Sequence, residues 1–155
     1  MSHRFRTWLG NRFLKISTRA AKGSNPEEWL EGLKEASDRI IAESGPASQN
    51  AMVARYVVAT QLEEMGRNSE AQALWDAEVR LLRERVGPDD LLTVKAEEYL
   101  AMNLLNSGET NRARDMFMHI HDVRLELLGP SDEATQWVRA VIDGIGQDDS
   151  PKSEP

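Results

Sequence analysis

Cysteine is absent from the 155 residues, which excludes disulfides and thiolate metal sites and leaves the redox compartment open. Aromatic residues are scarce at 6%, while charged residues reach 29%, a balance that suits helices with wide solvated faces. No apolar run approaches the roughly 20 residues that a membrane-spanning helix needs. The N-terminus lacks the uninterrupted apolar centre of a secretory signal. These absences predict a soluble, cytoplasmic protein. Period-two alternation, the mark of a strand, is also missing, which predicts an all-α fold. Acid is missing locally as well: residues 1–22 hold Arg4, Arg6, Arg12, Lys15, Arg19 and Lys22 but no Asp or Glu. With a formal net charge of −7, that basic block leaves about −13 on the remainder. An acidic body predicts that nucleic acid is not a ligand, because phosphate contacts require a basic face.

What is present is a repeat. The turns "SGPASQNA", "VGPDDLLT" and "LGPSDEAT" place Gly45-Pro46, Gly87-Pro88 and Gly129-Pro130 at a constant interval of 42 residues. Gly can take the left-handed cap, Pro cannot continue a helix, and a following Asp can cap the next one. The match extends beyond the turns. Gly66 corresponds to Gly108, Ala59 to Ala101, Ala71 to Ala113, Leu62 to Leu104, and Trp75 to Phe117. Each unit reads as two antiparallel helices. Ala51, Ala54, Val58, Leu62 and Met65 share one face of a first helix, and Ala71, Leu74, Trp75 and Leu82 line the second. The next unit repeats this with Ala96, Leu100 and Leu104, then Ala113, Phe117, Ile120 and Leu127. Asn68 or Ser69 can cap the second helix of the earlier unit. Upstream, "GSNPEEW" predicts a helix start, with Asn25 as cap and Pro26 in the first turn.

The order of small and aliphatic residues, a Gly, "EAQALW" or "RARDMF", and a run ending in Gly-Pro-x-Asp resembles the tetratricopeptide repeat, in the 42-residue form of kinesin light chains. Glu78 and Ile120 depart from that pattern, standing where the family usually has small residues. The resemblance implies a right-handed α-solenoid of antiparallel helix pairs, about seven helices in all, within one domain over 1–146. Its divisions are a basic amphipathic helix at 1–23, a degenerate repeat half at 24–44, repeats at 45–86 and 87–128, and a capping helix at 129–146. The polar, acidic stretch 147–155 reads as a disordered tail.

In that family the first helix of each unit lines a concave groove, so the resemblance implies a protein–protein interaction adaptor or scaffold that takes a peptide or helix of a partner. Aligning the units assigns Tyr56, Thr60, Lys95, Glu98, Tyr99, Met102 and Trp137 to partner binding. Apolar anchors with a few charges suit such a ligand. Tyr99 and Trp137 have an alternative role, packing between neighbouring units. Lys95 is the sole basic residue in these columns, which argues against capture of a C-terminal carboxylate.

Enzymatic chemistry, cofactors and metals are not expected. His119 and His121 point about 200° apart on a helix and cannot share a metal, and His119 reads as solvated. The pairs Glu63-Glu64, Asp89-Asp90 and Glu97-Glu98 read as solvated faces or helix N-termini rather than acid/base pairs. No nucleophile has a plausible base nearby.

The N-terminal segment supports two readings. Phe5, Leu9, Phe13, Ile16 and Ala20 form one helical stripe, and Arg4, Trp8, Arg12, Lys15, Arg19 and Lys22 lie beside it. Such a helix can rest on an anionic membrane surface and anchor a scaffold there, or act as an organellar transit peptide. Alternatively its apolar stripe packs on the helix 26–43 and completes a repeat, the reading that leaves less apolar surface uncovered. A regulatory subunit of an enzyme complex is a further functional alternative. Finally, Trp137, Ala140 and Ile142 widen the apolar arc of the last helix, which points to a homodimer through the C-terminal helix.

Overall fold

The computed structural model describes residues 25–148, all of whose regular structure is α-helical. Six helices follow one another: α1 (Pro26–Ser44), α2 (Gln49–Glu64), α3 (Asn68–Arg85), α4 (Leu91–Asn106), α5 (Thr110–Leu128) and α6 (Glu133–Asp148). The expected helix over 4–22 and the tail after 148 lie outside the described residues. The chain divides into two compact units, the first ending at Arg67 and the second beginning at Asn68.

The turns form where the sequence places them. Gly45, Gly66, Gly87, Gly108 and Gly129 are the glycines with positive φ, and among the described residues no other residue type adopts that conformation. At Gly87, with φ of 107°, and Gly129, with φ of 83°, an added Cβ would meet nothing within 4 Å. Backbone geometry rather than space therefore selects glycine there.

In the first unit α1 packs on α2. The Asn25 side chain accepts from the Glu27 N–H at 3.2 Å, and Pro26 opens the helix without wasting a donor. The Gly45 N–H closes α1 onto the Ile41 carbonyl at 2.9 Å. Ser48 caps α2 by accepting from the Ala51 N–H. Ala51, Ala54, Val58 and Leu62 are buried as the periodicity predicts, joined by Met52 and Ala59; Met65 is half-buried.

The second unit is a run of four helices in which α3 packs on α4, α4 on α5, and α5 on α6. Asp90 caps α4 through the Leu92 N–H at 2.8 Å, and the Thr93 hydroxyl donates to the Gly87 carbonyl at 2.7 Å. Asp132 accepts from the Ala134 and Thr135 N–H groups at the start of α6. Asn68 is itself the first helical residue of α3, so the helix begins at the position expected to cap it. Trp75, Leu82, Val94, Ala96, Leu104, Phe117, Ile120 and Val138 form the core.

Leu127 departs from expectation, being 51% exposed. It shares the last turn of α5 with the exposed Leu125 and Leu128, so burial on this helix ends at Val123 and Arg124 although the apolar pattern continues.

Ala101 on α4 and Ala113 on α5 are both fully buried between helices that pack together. Ala101→Leu should overpack this contact and lower stability by about 1–3 kcal/mol. Glu64→Ala, on an exposed position, should lie within about 0.5 kcal/mol of the parent. Thermal melts of the two variants check this, and equal melting temperatures would contradict the packing.

Candidate functional site

Helix α4 carries the chemistry of the second unit. Positions 95, 98, 99 and 102 recur at spacings of three and four, and so share one side of the helix. Glu97 and Glu98 interrupt the apolar series between Ala96 and Leu100. Neither is solvated, contrary to the expectation for this pair: Glu97 is 1% exposed and Glu98 is 3% exposed. Each is buried because cations from neighbouring helices meet it, the usual condition for a charge in a protein interior.

Glu97 receives Arg83 from α3. The guanidinium donates through Nε at 2.9 Å and Nη2 at 2.6 Å to the same carboxylate oxygen, Oε1. Its other oxygen lies 3.4 Å from Nε2 of His119 on α5. His119 is thus half-exposed but is placed beside a buried acid, and α4 is linked through one carboxylate to the helices on both sides.

Glu98 is met from two directions. Lys95, one turn earlier, donates through Nζ, and Arg124 on α5 donates through Nη2 at 2.5 Å. Arg124 is itself buried, and its Nη1 reaches the Ala134 carbonyl on α6 at 3.4 Å. Burial pushes the Glu98 carboxyl upward, but the charges of Lys95 and Arg124, with their hydrogen bonds, outweigh it and hold the pKa below the usual carboxylate value.

Aromatic contacts fix the remaining residues. The Lys95 ammonium lies 4.8 Å from the centre of the Tyr99 ring, and Tyr99 stacks on Trp75 of α3 with ring centres 4.8 Å apart. Tyr99 is therefore half-buried, as the packing role foresaw, with a ring whose orientation is set from both sides. Met102 remains 36% exposed. On α6 Trp137 is likewise 36% exposed, with an edge-to-face contact to Phe117 at 6.2 Å.

The structure thus joins Lys95, Glu98 and Tyr99 through direct contacts, and leaves Met102 on the same helix. In the first unit Tyr56 is 41% exposed and Thr60 half-buried, both on α2. Arg4, Trp8, Arg12, Lys15, Arg19 and Lys22 lie outside the described residues. On α6, Val138 and Ile145 are buried, Val141 and Ile142 half-buried, and Ala140 exposed. Sequence reasoning missed Arg124, Glu97 and Arg83. A signal was available for the first: Arg124 continues the spacing of Ala113, Phe117 and Ile120 along an inward stripe.

Among the described residues no cluster of three or more His, Asp or Glu side chains could hold a metal ion, and no helix is long and apolar enough to cross a membrane. No protein-family model matches the chain, and no curated protein matches its sequence.

Glu98→Gln tests the buried cluster. Keeping two cations with one charge removed should cost about 3 kcal/mol at neutral pH. The folded pKa is depressed, so the stabilisation is complete above the unfolded value and disappears as pH falls through the folded one. Melting curves between neutral and acid pH should show the gap between parent and variant narrowing on acidification. A constant gap would contradict the assignment.

Proposed function

We propose that this is a helical-repeat adaptor of the tetratricopeptide type, binding a peptide or helix of a partner protein along the first helices of its repeats. The 42-residue recurrence of the turns supports the family reading, since all five positive-φ glycines fall at repeat-equivalent positions. One observation carries the binding reading. On the helices read as first helices, large apolar side chains remain partly in water: Tyr56 on α2 in the first unit, and Met102 on α4 and Trp137 on α6 in the second.

Within the second unit, α4 supplies the better-defined surface. Tyr99 is held between Trp75 and Lys95, so a ligand contacting it would immobilise little that is not already ordered. Met102 offers an adaptable apolar contact, and Trp137 an aromatic anchor of the kind that dominates interfaces. Lys95 pairs with Glu98 but remains half-buried over the Tyr99 ring, where its ammonium would orient polar groups of a bound segment. Binding by such a surface requires no chemical transformation of the partner.

Hydroxyl-radical footprinting of the complex with a partner isolated from the host tests this reading. Protection should fall on Tyr56, Tyr99, Met102 and Trp137. Met102→Ala with Trp137→Ala should weaken binding by about 1–3 kcal/mol while the fold survives. Protection confined to Arg80 and Met118, on α3 and α5, would show that the partner uses the second helices instead.

A further inference from the structure

Burial stops short at one end of the second unit. Consecutive helices there pack on one another across short turns, so α3 and α5 finish at the end where α4 and α6 begin. Two contacts fix the level. The Thr93 hydroxyl donates to the Gly87 carbonyl at the start of α4, and Arg124 reaches both Glu98 and the Ala134 carbonyl of α6. Leu91 lies roughly 10 Å along α4 from Glu98, and Leu128 roughly 6 Å along α5 from Arg124. The two leucines therefore stand at nearly the same height. With Val86, Leu125 and Leu127 they make up five of the nine large apolar side chains exposed among the described residues.

The repeat itself does not require them. Val86 and Leu128 correspond to Ser44, Leu91 corresponds to Gln49 and Glu133, and Leu127 corresponds to Glu43 and Arg85. Polar residues serve the turn at each of these places, so turn geometry does not account for the apolar ones. Exposed apolar clusters with a polar rim mark interaction sites.

The rim defines the partner. Glu84, Asp89, Glu126 and Glu133 are exposed, and their side chains have no hydrogen bond or ion pair among the described residues. Arg85 is the exposed base beside them, since Arg83 is committed to Glu97. We propose that this edge docks a cationic amphipathic helix of a partner protein. Its apolar side chains would cover Leu91, Leu127 and Leu128, and its lysines or arginines would face the carboxylates. Four carboxylates against one guanidinium steer cations to the edge and repel nucleic acid or an anionic lipid surface. A second copy is disfavoured too, because a two-fold pairing of the edge with itself sets carboxylate against carboxylate. The edge shares no residue with the α4 surface proposed above, and Met102 lies near the other end of that helix.

The test uses the full chain and a fluorescent peptide of leucine and lysine patterned as an amphipathic helix. Anisotropy measures binding, and methyl NMR locates it. The patterned peptide should bind more tightly than a scrambled peptide of the same composition, and the methyl signals of Val86, Leu91 and Leu125 should shift. Leu127→Gln with Leu128→Gln should weaken binding by about tenfold or more. Asp89→Asn with Glu126→Gln should weaken it and flatten its salt dependence. Met118→Gln, exposed on α5 but more than two turns from the edge, should leave it unchanged. Equal binding of the scrambled peptide, or of a leucine and glutamate peptide, overturns the proposal. So do shifts confined to Met102 and Trp137. A parent that sediments as a dimer and becomes a monomer on Leu127→Gln with Leu128→Gln also overturns it, since a second copy would then be the occupant.

Discussion

The pairing of Glu98 with Arg124 is the constraint on which the second unit depends. A guanidinium buried on α5 has to find an anion, and α4 provides it at 2.5 Å. The same guanidinium reaches the backbone of α6, so one side chain fixes three helices relative to one another. A buried ion pair of this kind adds little net stability over an apolar replacement of the same shape. Its effect here is on geometry. Apolar side chains such as Leu100 and Ile120 tolerate sliding, whereas a guanidinium aimed at one carboxylate does not. Glu97 and Arg83 impose a similar restriction between α4 and α3.

That rigidity bears on the proposed binding surface. Tyr99 is held between the Lys95 ammonium and the ring of Trp75, and Lys95 also pairs with Glu98. Tyr99, which would touch a partner, is thus oriented by Trp75 and Lys95 before any partner arrives. A surface prepared in this way can recognise a peptide through shape, since little ordering remains to be done on binding.

Local chemistry was legible in the sequence, and tertiary charge was not. Gly-Pro turns, the Asn25 and Asp90 caps, and the 3.6-residue stripes all act within a few residues of themselves. Reading the chain in short windows therefore recovered the six described helices. Glu97 and Glu98 were misread as solvated because a carboxylate on a helix is usually exposed, and its burial depends on Arg83 and Arg124 arriving from other helices. Leu127 failed for the opposite reason. Its spacing fits the inward stripe, but no neighbour covers the last turn of α5. Of the residues assigned to partner binding, Tyr56, Met102 and Trp137 are exposed, while Glu98 is buried in an ion pair with Arg124.

Neighbour-to-neighbour packing within the second unit has a consequence for how that unit is made. Helices α4 and α5 each have substantial contacts on both sides along the chain, while among the described residues of this unit α3 and α6, at the ends of the run, have one such neighbour each. Each of these helices leaving the ribosome therefore meets the partner synthesised just before it, and among the described residues of this unit the substantial contacts are all between consecutive helices. The order of synthesis is also the order of assembly. Opening should begin at the ends of this run, and detachment of α6 would expose the Arg124 guanidinium to water.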